Sequence, residues 1–445
     1  MDATEARIIQ AIDERREDII EFARDIYTHA ELGYKEFRTA GKFTEAIKDR
    51  SERIETELAV TGVKAYLNEK KKDNFSLALI GELDALRIPE HKYYNPETDG
   101  AHCCGHHAQL AGVFGASLAL SVPEIAEKLD GQVIFFATPA EEYGEVEFKK
   151  QLAREGKIKY GGGKCELIRI GAFDDVDAAL AHHISPGNEV TYGSGDNNGF
   201  VSKVIRIKGK AAHAAGSPEQ GVNALYAASL GLQALNAQRE TFRDEDHVRV
   251  HPIQTAGGAL VNVIPDEAVI ETLVRAGNIE AFLDASKKTD RAFKAGAYAL
   301  GAGYEIETLP GYLPSIFQEF PEEVAQVFHE VVKDIPVKPV APGTRSNGST
   351  DVGDVQHLLP VLTFRTGGVT GGLHRSDFEV VDEEEAYVLT AKLFALSAYR
   401  LLKDGAAAGK KLKADYKPVY KNKEEYVRFM DSFYTTEKGG PDDLK

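Results

Sequence analysis

The residues best suited to chemistry lie in the segment His102–His107, which reads HCCGHH. Cys104 and His106 are two positions apart, so a thiolate and an imidazole can point to the same side of an extended loop. Sulfur and nitrogen ligands of this kind suit Zn²⁺ or a similar divalent ion. The same segment could equally be a turn with buried thiols and solvated histidines. Taken alone, it leaves both interpretations open.

A pair of carboxylates, Glu141 and Glu142, follows the apolar run Gln132–Thr138 through a proline turn. If that run is a buried strand, both carboxylates reach the carboxyl edge of a sheet, where α/β folds place their sites. A metal hydrolase needs one carboxylate to bind the ion and another to take a proton from water. Adjacent glutamates are common on surfaces, so this pair gains meaning only beside other ligands.

Two further segments supply imidazoles. His182 and His183 end the predicted strand Asp177–His183, where neighbouring side chains face opposite sides, so at most one of the two is an easy ligand. His374 stands in a glycine-rich loop. With the two segments above, the chain offers Cys, His, Glu, His and His at predicted strand or loop ends, which is a complete ligand set for a divalent ion.

The elements that would position these residues follow from apolar periodicity. Helical spacing runs through Glu5–Phe43, and short apolar runs at Phe75–Ile80 and Gln132–Thr138 flank the helical stretch Ala108–Leu120. Strands that alternate with helices predict an α/β layer with a largely parallel sheet.

A change of pattern after the turn-rich linker Gly193–Gly199 predicts an inserted domain of the ferredoxin-like order β-α-β-β-α-β. Its predicted elements are, in chain order, Phe200–Lys208, Asn223–Arg239, His247–Ile253, Ala268–Val274, Ile279–Leu300 and Glu305–Leu309. The α/β pattern then returns and runs to Leu402. We therefore predict a catalytic domain in two parts, 1–195 and 311–445, interrupted by a domain at 196–310. The second part includes a C-terminal tail to which we assign no function.

Charge and composition exclude several classes of partner. Fifty-three basic against seventy acidic residues give a net charge of −17, which disfavours nucleic acid. The lysine-rich run Lys410–Lys423 is typical of a solvated tail. The longest apolar stretch, Leu110–Val122, is shorter than the ~20 residues of a membrane span. With no secretory signal visible and three cysteines expected to be reduced, we expect a cytoplasmic protein that acts on a small molecule.

Nine segments together resemble the M20 metallopeptidase family, and within it the amidohydrolase branch of aminoacylase, hippurate hydrolase and p-aminobenzoyl-glutamate hydrolase types. The matching segments, in the family's order, are HAELGYKEFRT (29–39), GELDALR (81–87), HCCGHHAQ (102–109), TPAEEYGE (138–145), AHHISPG (181–187), KGKAAHAAGSPEQGVNAL (208–225), GGALVNVIPDEA (257–268), GSTDVGDV (348–355) and LHRSDFEVVDEE (373–384). The resemblance implies a phosphorylase/hydrolase-like α/β catalytic domain with a mixed, mainly parallel sheet. An inserted α+β lid or dimerisation domain interrupts it.

The resemblance also implies roles for individual residues. It makes Glu141 the general base and implies one or two divalent ions, Zn²⁺ or Mn²⁺. The implied metal ligands are Cys104, which would bridge, His106, Glu142, His183 and His374. His213, on the inserted domain, would reach across a homodimer to polarise the scissile carbonyl in the neighbour's site. Asn262 would contact substrate, and Asp84 would support the ligands from behind.

The chain departs from the family pattern beside the ligands. The usual CGHD followed by a further histidine is here CGHH followed by Gln109, so His107 replaces an acidic residue. We expect His107 to affect substrate binding, because a less acidic surrounding suits an anionic substrate. The alternative is that His107 is a neutral packing residue in an ordinary acyl-amino-acid hydrolase.

Three functions remain open from the sequence. The first is hydrolysis of the amide bond of a small N-acyl amino acid or aromatic conjugate. The second is hydrolytic deamination of an aromatic amine, of the 5-nitroanthranilate aminohydrolase type, which the CGHHAQ segment (104–109) faintly resembles. The third is ligand binding without catalysis, which the presence of a general base disfavours.

Overall fold

The computed structural model describes residues 1–441, which divide into two compact units. The larger unit comprises Met1–Gly195, Ile316–Thr344 and Asp354–Lys423. The inserted unit comprises Asp196–Ser315, Arg345–Gly353 and the C-terminal segment from Glu424 onward.

The helices and strands of both units are numbered here along the chain. The α-helices are α1 (Ala3–Asp13), α2 (Arg16–Thr28), α3 (Phe37–Ile47), α4 (His106–Leu120), α5 (Pro123–Ala126), α6 (Val146–Arg154), α7 (Gly163–Arg169), α8 (Ala224–Gln238), α9 (Ile279–Ala299), α10 (Glu322–Val331), α11 (Val352–Gln356), α12 (Thr390–Leu402), α13 (Ala407–Asp415) and α14 (Lys423–Asp431). The strands are β1 (Arg53–Leu58), β2 (Gly62–Leu67), β3 (Ser76–Glu82), β4 (Leu86–Arg87), β5 (Gly100–Ala101), β6 (Gln132–Thr138), β7 (Ala178–Ile184), β8 (Val190–Tyr192), β9 (Asp196–Asn197), β10 (Gly199–Lys208), β11 (Arg249–Val250), β12 (Ile253–Ala256), β13 (Glu267–Ala276), β14 (Gly303–Tyr312), β15 (Val337–Pro339), β16 (Arg345–Ser346), β17 (Val361–Thr366), β18 (Val369–Thr370), β19 (Glu379–Val380) and β20 (Thr435–Gly439).

The larger unit is built on an eight-stranded sheet with the order β1-β2-β6-β3-β7-β17-β8-β15. The four strands β6, β3, β7 and β17 are consecutive neighbours and mutually parallel, whereas β1, β2 and the pair β17–β8 make antiparallel contacts. The predicted mixed, mainly parallel α/β sheet is confirmed. Because the four central strands run the same way, their carboxyl ends meet at one edge.

The central strands form because their apolar runs are buried on both faces. Every residue of β3 and β6 is buried, as expected for parallel strands covered by helices on both sides. Helix α4 is likewise buried along its whole length and packs against β3 and α12. No helix among residues 1–441 is long and apolar enough to cross a membrane.

The inserted unit has the predicted ferredoxin-like order. Strands β13, β10 and β14 pair antiparallel in that sequence, while β11 and β12 both pair with the free side of β13. Helices α8 and α9 pack against this sheet. The strand expected at His247–Ile253 is instead two short strands, β11 and β12, joined by a break at residues 251–252.

The C-terminal segment differs from the sequence expectation. The lysine-rich run is not a free tail: it begins in helix α13, and Lys413 and Lys423 form ion pairs with Asp177 and Asp174. Further on, β20 pairs antiparallel with β14, so residues from Glu424 onward join the inserted unit rather than the catalytic sheet. The short sequence TTEKG (435–439) has no apolar alternation, which is why it did not predict a strand.

Candidate metal centre and active site

The candidate site lies where the four parallel strands end. Glu82 is the last residue of β3, Glu141 follows β6, and His183 is the penultimate residue of β7. Helix α4 begins at this edge with His106. Chain segments far apart in sequence therefore deliver their polar side chains to one place because parallel strands share a direction.

Cys104 and His106 are set by a glycine turn at the start of α4. Gly105 has a φ of +84°, and a Cβ there would lie 2.1 Å from Cγ2 of Ile184, so both conformation and space require glycine. The turn brings Cys104 Sγ to 3.4 Å from His183 Nε2 and 3.3 Å from His374 Nε2.

The turn that carries the two glutamates is held from several directions. The backbone N–H of Ala140, which has a φ of +48°, donates to Oε1 of buried Glu36 at 2.8 Å. The N–H of Glu142 donates to Asp84 Oδ2 at 2.9 Å, and its carbonyl accepts from Lys149 Nζ at 2.7 Å. These bonds place Glu142 Oε1 3.1 Å from His374 Nε2.

Three groups of donor atoms result, and within each group all the atoms lie within 4.8 Å of one another. The groups are Cys104 with His106 and His183, Cys104 with Glu142 and His374, and Glu82 with His106 and Glu141. Among residues 1–441, buried His106 Nε2 and Glu142 Oε1 have no partner with hydrogen-bond geometry, although Glu82 Oε2 and His374 Nε2, respectively, lie 3.1 Å away. Unpartnered buried polar atoms are costly, and a thiolate, imidazoles and carboxylates are the donors that divalent ions such as Zn²⁺ accept. The residues therefore fit a metal centre, with Cys104 common to two of the groups.

Hydrogen bonds behind the site fix which nitrogen of each histidine faces it. His106 Nδ1 donates to the carbonyl of Asp84 at 2.9 Å and lies 3.2 Å from its carboxylate, and His183 Nδ1 donates to the carbonyl of Ile184 at 2.7 Å. Both rings thus direct Nε2 to the donor groups. Burial alone would raise the pKa of Asp84, but the hydrogen bonds from His106 and Glu142 outweigh it and lower that pKa to about 2. Asp84 remains an anion that orients His106.

Comparison with known proteins identifies the family. Residues 78–400 match the family described as peptidase family M20/M25/M40. The chain belongs to this family. The resemblance inferred from the motifs is confirmed, and the protein is a metal-dependent hydrolase that acts on carbon–nitrogen bonds.

Individual relatives in the M20 family share about a quarter of the sequence. The chain is 26% identical to a mouse Xaa-Arg dipeptidase over 424 residues, which covers 93% of this chain and 89% of that protein. It is 26% identical to an N-acyl-L-amino acid amidohydrolase of Geobacillus stearothermophilus over 335 residues, 70% of this chain and 81% of the relative. The solved structure of a dinuclear metal-binding M20 peptidase from Bacillus subtilis aligns with a TM-score of 0.61 at 23% identity, covering 88% of this chain and 99% of that one.

Two residues at the donor groups of this M20 protein were not predicted: Glu82, which belongs to the third group, and Lys164. Glu82 is buried and lies 3.1 Å from His106 Nε2, while its Oε1 accepts from Lys164 Nζ at 2.5 Å and its Oε2 from Gln109 Nε2 at 2.8 Å. The Coulombic pull of Lys164 is the largest influence that lowers the pKa of Glu82, against the opposing effect of burial. Glu82 and Asp84 are two residues apart, and that spacing was the available signal.

His182 and His107 point away from the donor groups. His182 lies 2.8 Å from Thr366 Oγ1, and its ring packs against Phe364. His107 is fully buried, 3.1 Å from the Tyr387 hydroxyl, and packs against Tyr27. Burial lowers the pKa of both histidines well below the usual value, so both are neutral. The contacts of His107 are those of a packing residue, and its effect on substrate binding stays a prediction.

His213 and Asn262 lie on the inserted unit and are exposed. His213 Nδ1 accepts hydrogen bonds from the backbone N–H groups of Ala215 and Gly216 at 3.2 and 2.9 Å. With Nδ1 as acceptor, the neutral ring carries its proton on Nε2. The carbonyl of Asn262 accepts from the N–H of Ala214 at 3.0 Å, so the segments of the two predicted residues are adjacent.

Proposed function

We propose that this protein hydrolyses the amide bond of a small N-acyl amino acid or dipeptide at a metal centre held by Cys104, His106, Glu142, His183 and His374. The observation that carries the proposal is the membership of Cys104 in two adjoining donor groups. A thiolate shared in this way suits one or two ions of Zn²⁺ or Mn²⁺.

The metal and Glu141 have separate tasks in this proposal. A divalent ion at the centre supplies Lewis acidity, which lowers the pKa of water from 15.7 to about 7. Glu141 is buried and lies 3.9 Å from His106 Nε2, outside both groups that contain Cys104. In this proposal its carboxylate takes the proton of the attacking water and returns it to the leaving nitrogen.

The inserted unit contributes a hydrogen-bond donor in this proposal. The exposed Nε2–H of His213 can donate to the carbonyl oxygen that becomes negative as water attacks, with Asn262 as a second contact to substrate. We infer that His213 acts in the neighbouring subunit of a homodimer.

Exposed apolar surface on the inserted unit supports that dimer. Strand β12 is exposed at all four residues, and within residues 1–441 it pairs on one side only, with β13. Large exposed apolar side chains lie on or near the same unit's helix α8 and the loop after β12: Tyr226, Leu230, Ile253, Leu260, Val261 and Val263. An open strand edge with apolar neighbours favours association with a second copy.

A combined metal and product assay tests this function. Purified protein is analysed for bound metal, loaded separately with Zn²⁺ and Mn²⁺, and incubated with N-acyl amino acids, dipeptides and substituted aminobenzoates. Freed amino acid without ammonia from any aminobenzoate supports the amide hydrolase. Ammonia from an aminobenzoate without amide cleavage would replace it with the aromatic amine aminohydrolase that the sequence leaves open. Binding without turnover in either metal form would contradict both.

A further inference from the structure

Arg365 lies next to the metal-donor groups without being one of their members. It is the fifth residue of β17, and the parallel register places it directly opposite His183 on β7. Side chains opposite each other in adjacent strands emerge on the same face, about 4.8 Å apart. The alternation is visible in the neighbouring pair, because His182 and Phe364 stack on the other face. Arg365 therefore extends from the sheet face that carries His183.

The charge of Arg365 is uncompensated. Among residues 1–441 its guanidinium has no hydrogen bond and no ion pair, whereas the nearby cations Lys164 and Lys149 both have protein acceptors. A guanidinium that is partly surrounded by protein loses part of its hydration, and here no acidic partner replaces what is lost. An anion from solution would supply what the protein does not.

Protein surrounds the guanidinium of Arg365 on part of its surface. The residue is exposed to solvent, yet enough protein surrounds the guanidinium for burial to lower its pKa, an effect that nearby Cys104 opposes. Its field also reaches His183, where, after burial, it is the largest influence that lowers the imidazole pKa. Arg365 is thus accessible from solvent and electrostatically coupled to two of the proposed metal ligands.

We propose that Arg365 binds a carboxylate of the substrate and so selects substrates that bear this group beside the scissile carbon–nitrogen bond. A guanidinium offers two parallel N–H donors that match the two oxygens of a carboxylate, and it keeps its charge in a cleft. The inference deepens the proposed function, since an N-acyl amino acid carries its carboxylate on the carbon next to the cleaved nitrogen.

Paired substrates test this role. Metal-loaded enzyme is assayed with N-acyl amino acids and with the same compounds as neutral carboxamides, using wild type, Arg365→Ala, Arg365→Lys and the distant surface control Arg7→Ala. Losing a hydrogen-bonded charge pair of 1.5–3 kcal/mol corresponds to roughly a 10- to 150-fold loss. We expect Arg365→Ala to raise KM for the carboxylates by that factor and to leave the carboxamides within about 2-fold. Arg365→Lys should recover part of the loss, and Arg7→Ala should match wild type.

The inference fails if Arg365→Ala weakens both members of each pair equally, or changes neither. Equal weakening with lower metal content would make Arg365 a support of the metal centre instead. A binding measurement separates this inference from the hydrolase proposal: hippurate, 2-aminobenzoate and their carboxamides are titrated into metal-loaded wild type and Arg365→Ala by calorimetry. A preference for the carboxylates that disappears in Arg365→Ala upholds the inference even if nothing is cleaved. No preference in wild type overturns it.

Discussion

The metal-donor groups of the larger unit and the His213 segment of the inserted unit differ in how their polar atoms are satisfied. Cys104 and His106 are buried, and the imidazole of His106 is fixed by the buried carboxylate of Asp84. His213 is exposed, and within the described residues 1–441 its ring is hydrogen-bonded by two backbone N–H groups of its own turn. The first region is organised from within its unit, whereas the second presents its free donor to solvent.

This difference indicates which region can act with its own residues alone and which one needs a binding partner. Buried charges are tolerated only when they are paired, and around the donor groups Lys164 pairs with Glu82 while Lys149 holds the Glu142 turn. Such a framework can preorganise ligands without any other partner. An exposed histidine with a fixed tautomer has no such framework, so its task depends on what docks against it.

The largest effect is expected from a substitution that tests whether the thiolate of Cys104 binds metal. Cys104→Ser should lose most of the bound metal and nearly all activity, because serine does not provide a soft anionic ligand at neutral pH. The matched control is Cys103→Ser, which changes the adjacent buried thiol that belongs to none of the donor groups. Metal content by elemental analysis and the rate should fall only in the first variant. Full metal and full activity in Cys104→Ser would make Cys104 an ordinary buried thiol.

The next largest effect is expected from substitutions that test whether Glu141 and Glu142 have different roles. Glu141→Gln should keep its metal and lose roughly 10²–10⁴-fold in kcat, the usual effect of removing a proton-transferring group. Glu142→Gln should lose metal, because an amide is a weaker ligand than a carboxylate. Elemental analysis beside kcat distinguishes the two variants. Equal metal loss in both would show that the neighbours share one role.

The sequence was informative where spacing is local. Cys104 and His106 could be recognised because they are two positions apart, although they lie across a glycine turn at a helix start and not on the extended loop that was expected. The inserted ferredoxin-like order was likewise readable, because each of its elements has its own apolar period. The choice of His183 over His182 came from family resemblance alone, and the structure explains it by the strand alternation that turns His182 toward Phe364.

Contacts between distant segments could not be read in this way. Glu82 and Lys164 meet only because β3 ends where α7 begins, and no periodicity links positions so far apart. Arg365 acquires its position from the register of β17 with β7. Strand β20 was missed because an exposed edge strand of polar residues carries no apolar signal, and its pairing with β14 is the only reason it is a strand.

A smaller loss of activity is expected from a substitution in the exposed His213 segment. His213→Ala should reduce kcat by about 10²–10³-fold, the effect of removing one donor to a developing oxyanion, and should leave metal content unchanged. Mixing His213→Ala with Glu141→Gln subunits at equal amounts should restore about a quarter of wild-type activity, since half of the dimers are hybrid and each hybrid has one complete site. Asn262→Ala mixed with His213→Ala is the control that gives no rescue. Absence of rescue after verified subunit exchange would place His213 in its own chain or outside the reaction.

The smallest effect concerns the buried carboxyl that holds the Glu141 turn from behind. Glu36 accepts from the Ala140 N–H and from Thr61, and burial, followed by the nearby charge of Asp84, raises its pKa to about 7. An unfolded glutamate titrates near 4.3. Between these values the folded chain binds the proton more tightly than the unfolded chain, so this group's contribution to stability is present at low pH and is lost as pH rises through about 7.

Glu36→Gln removes this titrating carboxyl, so the free energy of unfolding should depend less on pH. Relative to wild type, the variant's free energy of unfolding should gain up to about 4 kcal/mol between pH 4 and pH 8, which is the pKa difference converted to energy. Urea unfolding of chelator-treated protein at both pH values measures this without interference from metal binding. Glu31→Gln is the matched control, because Glu31 also accepts a backbone N–H, from Thr39, yet is only half-buried. A Glu36→Gln profile parallel to wild type would mean that this carboxyl is ionised throughout, held by its two hydrogen bonds as firmly as Asp84 is by His106.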